Sequence, residues 1–409
     1  MKTLFDDLRL SQNEAIAMTI ETLNTYAKRY RHWSISYSGG KDSSATVTLI
    51  CHLIESGQIP KPESLTILYA DTGMELPPLH ITAMKLLKHL GDRGYNTQIV
   101  KPKLDDRFFV YMFGRGVPAP KSGFRWCVGN LKIEPMQKHL STMRETLGEK
   151  FLGLLGVRVG ESAARDDRIV MSCSTNGAEC SQSQMLNDVQ KKSGITSYFV
   201  PTPESQPADI LCPIVHWRVC QVWDWLVYAD IELGFPTYEI AEAYGGDEKD
   251  EINARTGCVG CNVASKDVAL ENIVRLYPEK WGYLKPLLGL RPIYQELQKP
   301  QYRHRKPAGE SNKDGSLVSN QNRLGPYTMQ ARKFGLEQIL KIEADVNRKA
   351  LELDRPTITL IDSEELERIY WHWENKIYPQ KWDGSEPTGD VWQPQSFANG
   401  AVQNYLFAM

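Results

Sequence analysis

Along the chain, apolar positions alternate between short continuous runs and stretches with a 3.6-residue period. An amphipathic stretch from Gln12 to Tyr30 predicts a helix, and Trp33 to Ser38 reads as a short buried strand that runs straight into Gly39-Gly40. A helix then starts near Asp42 and carries apolar Ala45, Val47, Leu49 and Ile50. Leu65 to Ala70 predicts a second buried strand ended by Asp71-Thr72-Gly73, Leu79 to Leu90 a helix, and Asn96 to Val100 a third strand. Helical periodicity returns at Ile133 to Leu140 and a buried strand at Phe151 to Val157, with a polar turn or helix from Gly160 to Arg168. Strands alternating with helices in this way imply an α/β fold, a doubly wound parallel sheet whose ligands sit beyond the carboxyl ends of the strands.

The pattern then loosens. Ser172 to Gln206 has almost no apolar period and reads as an irregular excursion from the core. Cys212 to Val215 predicts a short strand, Val219 to Tyr228 a tryptophan-rich helix, Tyr244 to Gly257 a charged loop, and Lys266 to Leu276 and Tyr327 to Leu353 helices. A short strand at Thr357 to Ile361 and a helix from Ser363 to Glu374 complete a small, mostly helical C-terminal lobe, while Pro300 to Leu324 reads as a polar, basic loop. The expected division is therefore an α/β domain over residues 1–235, a cysteine-pair segment and basic loop over 236–325, and a lobe over 326–409.

A chain of 409 residues allows a large core with an added lobe. Its formal charge of −2 supplies no global drive toward nucleic acid or anionic membrane. No apolar run reaches the roughly 18 residues of a membrane span, and the first residues lack a signal layout, so a cytoplasmic protein is expected. The 8 cysteines are too few for a secreted disulfide scaffold, which leaves metal, cluster or redox chemistry. Cys258-Val-Gly-Cys261 has the spacing that puts two thiolates on one metal or cluster through a tight turn. Cys51, Cys212 and Cys220 are expected to be plain core, as are Trp217, Trp223 and Trp225.

The strongest chemical signal is Ser38-Gly39-Gly40-Lys41-Asp42-Ser43 between a strand and a helix. Glycines let the backbone turn tightly against phosphate oxygens, Ser38, Ser43 and Ser44 offer hydroxyl donors, and Lys41 supplies charge. The first helical turn adds free N–H groups and a partial positive dipole. The Walker spacing is absent, so a motor or γ-phosphate kinase loses support.

This hexapeptide resembles the SGG-x-DS signature of the PP-loop ATP pyrophosphatases. The resemblance implies a loop that, with Tyr37, grips the pyrophosphate of ATP while the α-phosphorus is attacked, with Mg²⁺ bridging the phosphates and Asp42 or Asp71 positioning it. Tyr69-Ala70-Asp71-Thr72-Gly73 resembles the adenosine-facing strand end of the branch that includes phosphoadenylylsulfate reductases. Gly156-Val157-Arg158 with Glu161, Ser162 and Arg165 resembles that branch's phosphate-facing arginine element, which implies catalytic roles for Lys41, Asp42, Ser43, Arg158 and Arg165. Arg125-Trp126-Cys127 before Leu131-Lys132-Ile133-Glu134-Pro135 resembles the cysteine site of cluster-bearing members, with Trp126 where adenylylsulfate reductases have a second cysteine.

Over nearly its whole length the chain resembles the ATP pyrophosphatases of DNA phosphorothioation, the DndC and SspD type. It shares the segment Pro213-Ile214-Val215-His216-Trp217 with Val222-Trp223-Asp224-Trp225-Leu226, and the Gly257-Cys258 turn. That likeness implies a 4Fe–4S cluster in preference to zinc, held by Cys127, Cys258 and Cys261; Cys180 is the choice for the fourth ligand because it lies in a polar excursion where a structural apolar role is implausible, with Cys173 the next choice. It also implies a cysteine desulfurase as sulfur donor, DNA bound through partner subunits and a possible homo-oligomer. The basic stretch Lys299, Arg303, His304, Arg305 and Lys306, with Tyr302, is the expected contact to phosphates. Rival readings are a sulfonucleotide reductase, disfavoured by the lack of cysteine after Cys261, a tRNA thiolase, and a catalytically silent nucleotide-sensing subunit of a defence complex.

Overall fold

The computed structural model describes residues 10–159, 198–244, 257–264, 266–306, 323–391, 395–396, 399 and 401–403. The chain separates into two compact units. One comprises Met1–Asp71, Leu76–Lys101 and Pro135–Thr256, and the other Thr72–Glu75, Pro102–Glu134 and Gly257–Met409. Sequence order alone suggested consecutive domains, yet the stretch from Pro102 to Glu134, which carries Cys127, belongs to the same unit as the Cys258 pair. No helix among the described residues is long and apolar enough to cross a membrane.

The first unit is built on β1 (His32–Tyr37), β2 (Ser64–Ala70), β3 (Asn96–Val100), β4 (Phe151–Leu155), β5 (Tyr198–Val200) and β6 (Ala208–Cys212). The sheet order is β3-β2-β1-β4-β6-β5, parallel throughout except for β5, which pairs antiparallel with β6. Ile35 of β1 sits opposite Ile67 on one side and Leu154 on the other, so the central strand is apolar in both directions, as a sheet buried on both faces requires. From β1 the chain winds outward through β2 and β3, then returns to β4 on the opposite side. The switch in winding therefore falls between β1 and β4, where ligands bind in open α/β sheets.

The helices of this unit are α1 (Gln12–Tyr26), α2 (Lys41–Glu55), α3 (Pro77–Asp92), α4 (Glu134–Leu147), α5 (Val219–Ile231) and α6 (Tyr238–Ala243). Ser11 and Glu14 form a reciprocal capping box that fixes the start of α1. Trp217 donates its indole N–H to Thr19 on α1 at 3.0 Å, and Trp225 donates to Thr48 on α2 at 2.9 Å, so two buried indoles tie these helices together. Cys212 ends β6 instead of opening a strand, because the ladder partners lie upstream in Ala208–Leu211. Cys51 and Cys212 are buried as expected, whereas Cys220 is exposed on α5 and is not core.

In the second unit the principal elements are α7 (Val268–Leu276), α8 (Leu290–Glu296), β7 (Arg303–Arg305), β8 (Leu324–Tyr327), α9 (Met329–Glu352) and α10 (Ser363–Glu374). Arg332 of α9 is fully buried and donates to the carbonyls of Gly114, Ile377 and Arg115 at 2.9, 2.9 and 3.2 Å. One guanidinium thus satisfies three carbonyls from two segments, and burial pushes its pKa down to about 10. The strand expected at Thr357 to Ile361 does not form. Asn347 pairs with both backbone groups of Ile358, and Glu343 accepts from Leu360 N at 2.7 Å and Ile361 N at 3.1 Å, so side chains of α9 replace a ladder partner.

The basic stretch near Lys306 also departs from expectation. Arg303, His304 and Arg305 are buried in β7. Arg303 donates to Gly325 O at 2.7 Å and Leu324 O at 3.2 Å, Arg305 donates to Val391 O, and Lys306 pairs with Glu386 at 2.7 Å. These groups bind their own backbone and carboxylates, and so are not the expected contact to phosphate.

Candidate functional site

At the carboxyl end of β1 the chain turns through Ser38-Gly39-Gly40 into α2. Gly39 has φ +76°, which strains any side chain, and a Cβ there would also be crowded 3.1 Å from Ala83 Cβ on α3. The loop is braced internally. Ser43 Oγ accepts from Ser38 N at 3.2 Å, lies 3.0 Å from Ser38 Oγ and donates to Gly40 O at 2.9 Å.

Gly40 is the N-cap of α2, and no side chain caps the helix. The first intrahelical bond runs from Ser44 N to Gly40 O, so the N–H groups of Asp42 and Ser43 are left for a ligand among the described residues. Lys41 N is covered differently, donating to the Tyr244 hydroxyl at 3.3 Å while its ammonium lies 4.8 Å from the centre of the same ring. Tyr244 was missed in the sequence, where it opens a charged loop with no motif around it.

Behind this cradle lies a buried set of charges. Asp42 is paired with Lys41 at 3.1 Å and accepts from Arg158 Nε, and Arg158 Nη1 also donates to Trp217 O at 3.4 Å. All three charged side chains are nearly inaccessible, at 9, 9 and 5 % for Lys41, Asp42 and Arg158. Two cations against one carboxylate leave a net positive charge beside an uncapped helix start, an arrangement that suits an anion of several charges. Gly156 explains how Arg158 gets there. A Cβ at Gly156 would fall 2.8 Å from Thr46 Oγ1 and 2.9 Å from the backbone of Asp42, so only glycine lets the end of β4 lie against the first turn of α2. Burial pushes the pKa of Tyr37 up, so its hydroxyl stays protonated beneath the loop. Asp71 lies 3.2 Å from Lys101. Arg165, Glu161 and Ser162 lie outside the described residues.

The second unit gathers a different chemistry. Thr72 donates its hydroxyl to Glu75 at 2.6 Å and its backbone N–H to the same carboxylate, which commits it to a local turn. That turn continues into a short pairing with the cysteine loop, Val259 N donating to Met74 O at 2.8 Å. Cys258 and Cys261 close a tight turn through Cys261 N to Cys258 O at 3.2 Å. Burial pushes the Cys258 thiol up to about 11, with Lys132 opposing and Glu75, Cys261 and Cys127 adding to the rise. Cys127 is raised by burial and by Cys261, and lowered by its own backbone N–H, that of Val128 and Lys132. Three thiols from segments 131 residues apart thus share one electrostatic neighbourhood, and their softness suits the thiolate ligation of an iron–sulfur cluster. Cys173 and Cys180 lie outside the described residues.

Residues 32–238, just over half of the chain, match the phosphoadenosine phosphosulfate reductase domain. The chain belongs to the phosphoadenosine phosphosulfate reductase domain family. The anion cradle at the β1–α2 junction lies within the matched residues. Two uncharacterized proteins of Methanocaldococcus jannaschii are similar to it. One is 24% identical over 68% of this chain and 54% of its own length, the other 29% identical over 39% and 31%. The chain thus spans about half of one relative and a third of the other. Among solved structures, phosphoadenylyl-sulfate reductase from Candida auris aligns with 16% identity and TM-score 0.35, covering 57% of this chain and 93% of that one. The U34-tRNA thiolase NcsA from Methanococcus maripaludis with its [4Fe-4S] cluster aligns with 14% identity and TM-score 0.33, covering 70% and 78%. Similarity this low extends to neither substrate nor cofactor.

Proposed function

We propose that this member of the family is an ATP pyrophosphatase that adenylates an oxygen, that of a DNA backbone phosphate, so that sulfur can replace it. The observation that carries the reading is the uncapped start of α2, with Lys41 and Arg158 both on Asp42 beside it. In the first step the acceptor oxygen attacks the α-phosphorus of ATP and the bond to the β-phosphate breaks. The leaving pyrophosphate would exchange for Asp42 as partner of Lys41, while the N–H groups of Asp42 and Ser43 take its remaining oxygens. Mg²⁺ would travel with the nucleotide and neutralise the same charge.

In the second step a sulfide-level sulfur attacks the activated phosphorus and AMP leaves with the electron pair of the broken P–O bond. No net oxidation or reduction is involved. Cys127, Cys258 and Cys261, with Cys180, would hold a 4Fe–4S cluster, which when bound supplies a soft site for sulfur. A cysteine desulfurase would supply the sulfur as a persulfide, which two thiols, oxidised to a disulfide, would reduce to the sulfide level before that attack, and partner subunits would hold most of the DNA. Mass spectrometry of DNA from cells with and without the gene tests the acceptor: phosphorothioate dinucleotides should vanish with the gene, and their persistence would refute it. The family match also favours a reductase reading, which thiol-dependent release of sulfite from a sulfonucleotide by the pure protein would establish instead.

A further inference from the structure

Within the second unit, residues 116–133 hold Lys121, Arg125 and Lys132 and no Asp or Glu, in a protein whose total charge is −2. All three cations are exposed, and among the described residues none makes an ion pair with a carboxylate. At the centre of the segment Lys121 and Phe124 close a two-residue turn. Phe124 N donates to Lys121 O at 2.8 Å and Lys121 N to Phe124 O at 3.2 Å, with Gly123 supplying φ +84°. The turn holds Phe124 outward with 42 % of its surface open.

The base of the turn is fixed. Ala119 N donates to Tyr327 Oη at 3.0 Å, and Trp126 donates its indole N–H to Pro118 O at 2.9 Å and stacks on Phe108 at 5.4 Å. Asn262, the residue after Cys261, donates to Pro120 O at 3.2 Å, and Cys127 follows Trp126 directly. The exposed ring and its flanking cations are therefore anchored to the two segments that carry the thiols.

We propose that the Lys121–Arg125 turn is a nucleic-acid finger, in which Phe124 stacks on a base of an unpaired strand while Lys121 and Arg125 take the adjoining phosphates, holding the acceptor beside the thiols. An exposed aromatic ring between cations is the pattern that binds single strands without a sequence code, and the local excess of positive charge complements phosphate. The finger rests on the sulfur-transfer reading for its purpose, though not for its binding.

The test uses the full-length protein and a fluorescein-labelled single-stranded DNA oligonucleotide, with affinity read by anisotropy over a range of salt and no ATP. The wild type should bind at low salt. Phe124→Ala should weaken binding about tenfold at every salt concentration, the loss expected for one stacked base, and Phe124→Trp should restore it. Lys121→Glu with Arg125→Glu should reduce the slope of log affinity against log salt by about 1.4, from about 0.7 per phosphate contact on single strands. Absence of wild-type binding at low salt, or binding equal to the wild type by Phe124→Ala and by the double variant, overturns the proposal. If those variants bind DNA normally but fail to retain a sulfur-donor protein, the surface is a protein contact and the finger is likewise refuted. A protein that binds through Phe124 yet forms no AMP from ATP sinks the pyrophosphatase reading and leaves the finger standing.

Discussion

Arg158, three residues past the end of β4, donates its Nε to the carboxylate of Asp42 in the first turn of α2. This one pair joins the two strands that flank the switch in the sheet's winding. It also explains how a buried guanidinium and a buried carboxylate survive away from water, since each compensates the other.

Removing one member should be costly because the partner stays buried. Arg158→Ala leaves Asp42 with Lys41 alone, and urea unfolding should show a loss of about 3 kcal/mol, typical of a broken buried pair. Saturating pyrophosphate should protect Asp42→Asn more than the wild type, since an anion replaces the missing carboxylate. An unchanged unfolding midpoint for Arg158→Ala would mean that the pair contributes nothing.

On the pure protein, ATP should be converted to AMP and pyrophosphate. Lys41→Ala should slow this about a hundredfold or more, the usual loss when one contact to a departing charge is deleted. Ser43→Ala should also act, because its hydroxyl braces Ser38 and Gly40. Chromatography of labelled nucleotide distinguishes the outcomes, and ADP as product contradicts the reading.

Anaerobically prepared protein should be brown and contain about four irons per chain, the complement of a thiolate-held cubane. Serine at Cys258 or Cys261 should bleach it, because a hydroxyl stays protonated where a thiolate is needed. Metal analysis that finds zinc alone would exclude the cluster. A full cluster in Cys127→Ser would make Cys127 the sulfur carrier, with Cys173 completing the ligand set.

Stability should fall on mild acidification, with His372 a contributor. This buried imidazole touches Asp105 at 3.0 Å, and Asp105 in turn takes two bonds from Arg368 at 2.6 and 2.8 Å. Burial lowers the His372 pKa below its ordinary 6.5, Asp105 raises it, and Arg368 and Arg115 lower it again. The unfolded chain therefore binds the proton more readily, so this contribution is present above pH 6.5 and is lost as pH falls through the depressed folded value. Urea midpoints compared at neutral and mildly acid pH should shift less in His372→Gln than in the wild type, and equal shifts would remove His372 from the account.

Much of the nucleotide half was legible in the sequence. Local patterns of apolar residues and glycine placed β1, β2, β3 and the start of α2 within a residue or two, since a buried parallel strand must be continuously apolar and a phosphate turn needs Gly39 for its positive φ. Cys258 and Cys261 stand out by their local spacing, and Cys127 by the motif around it. What only the tertiary structure decided involves partners far apart in the chain. The burial of Arg303, His304 and Arg305 against carbonyls, the role of Tyr244 over Lys41, the loss of a strand at 357–361 to Asn347 and Glu343, and the isolation of Phe124 in the open all depend on neighbours from other segments. A charged or aromatic side chain reads the same in sequence whether it faces solvent or its own backbone. Only the folded chain's hydrogen-bond accounting tells the two apart, because each buried polar group must find a partner that sequence distance does not reveal.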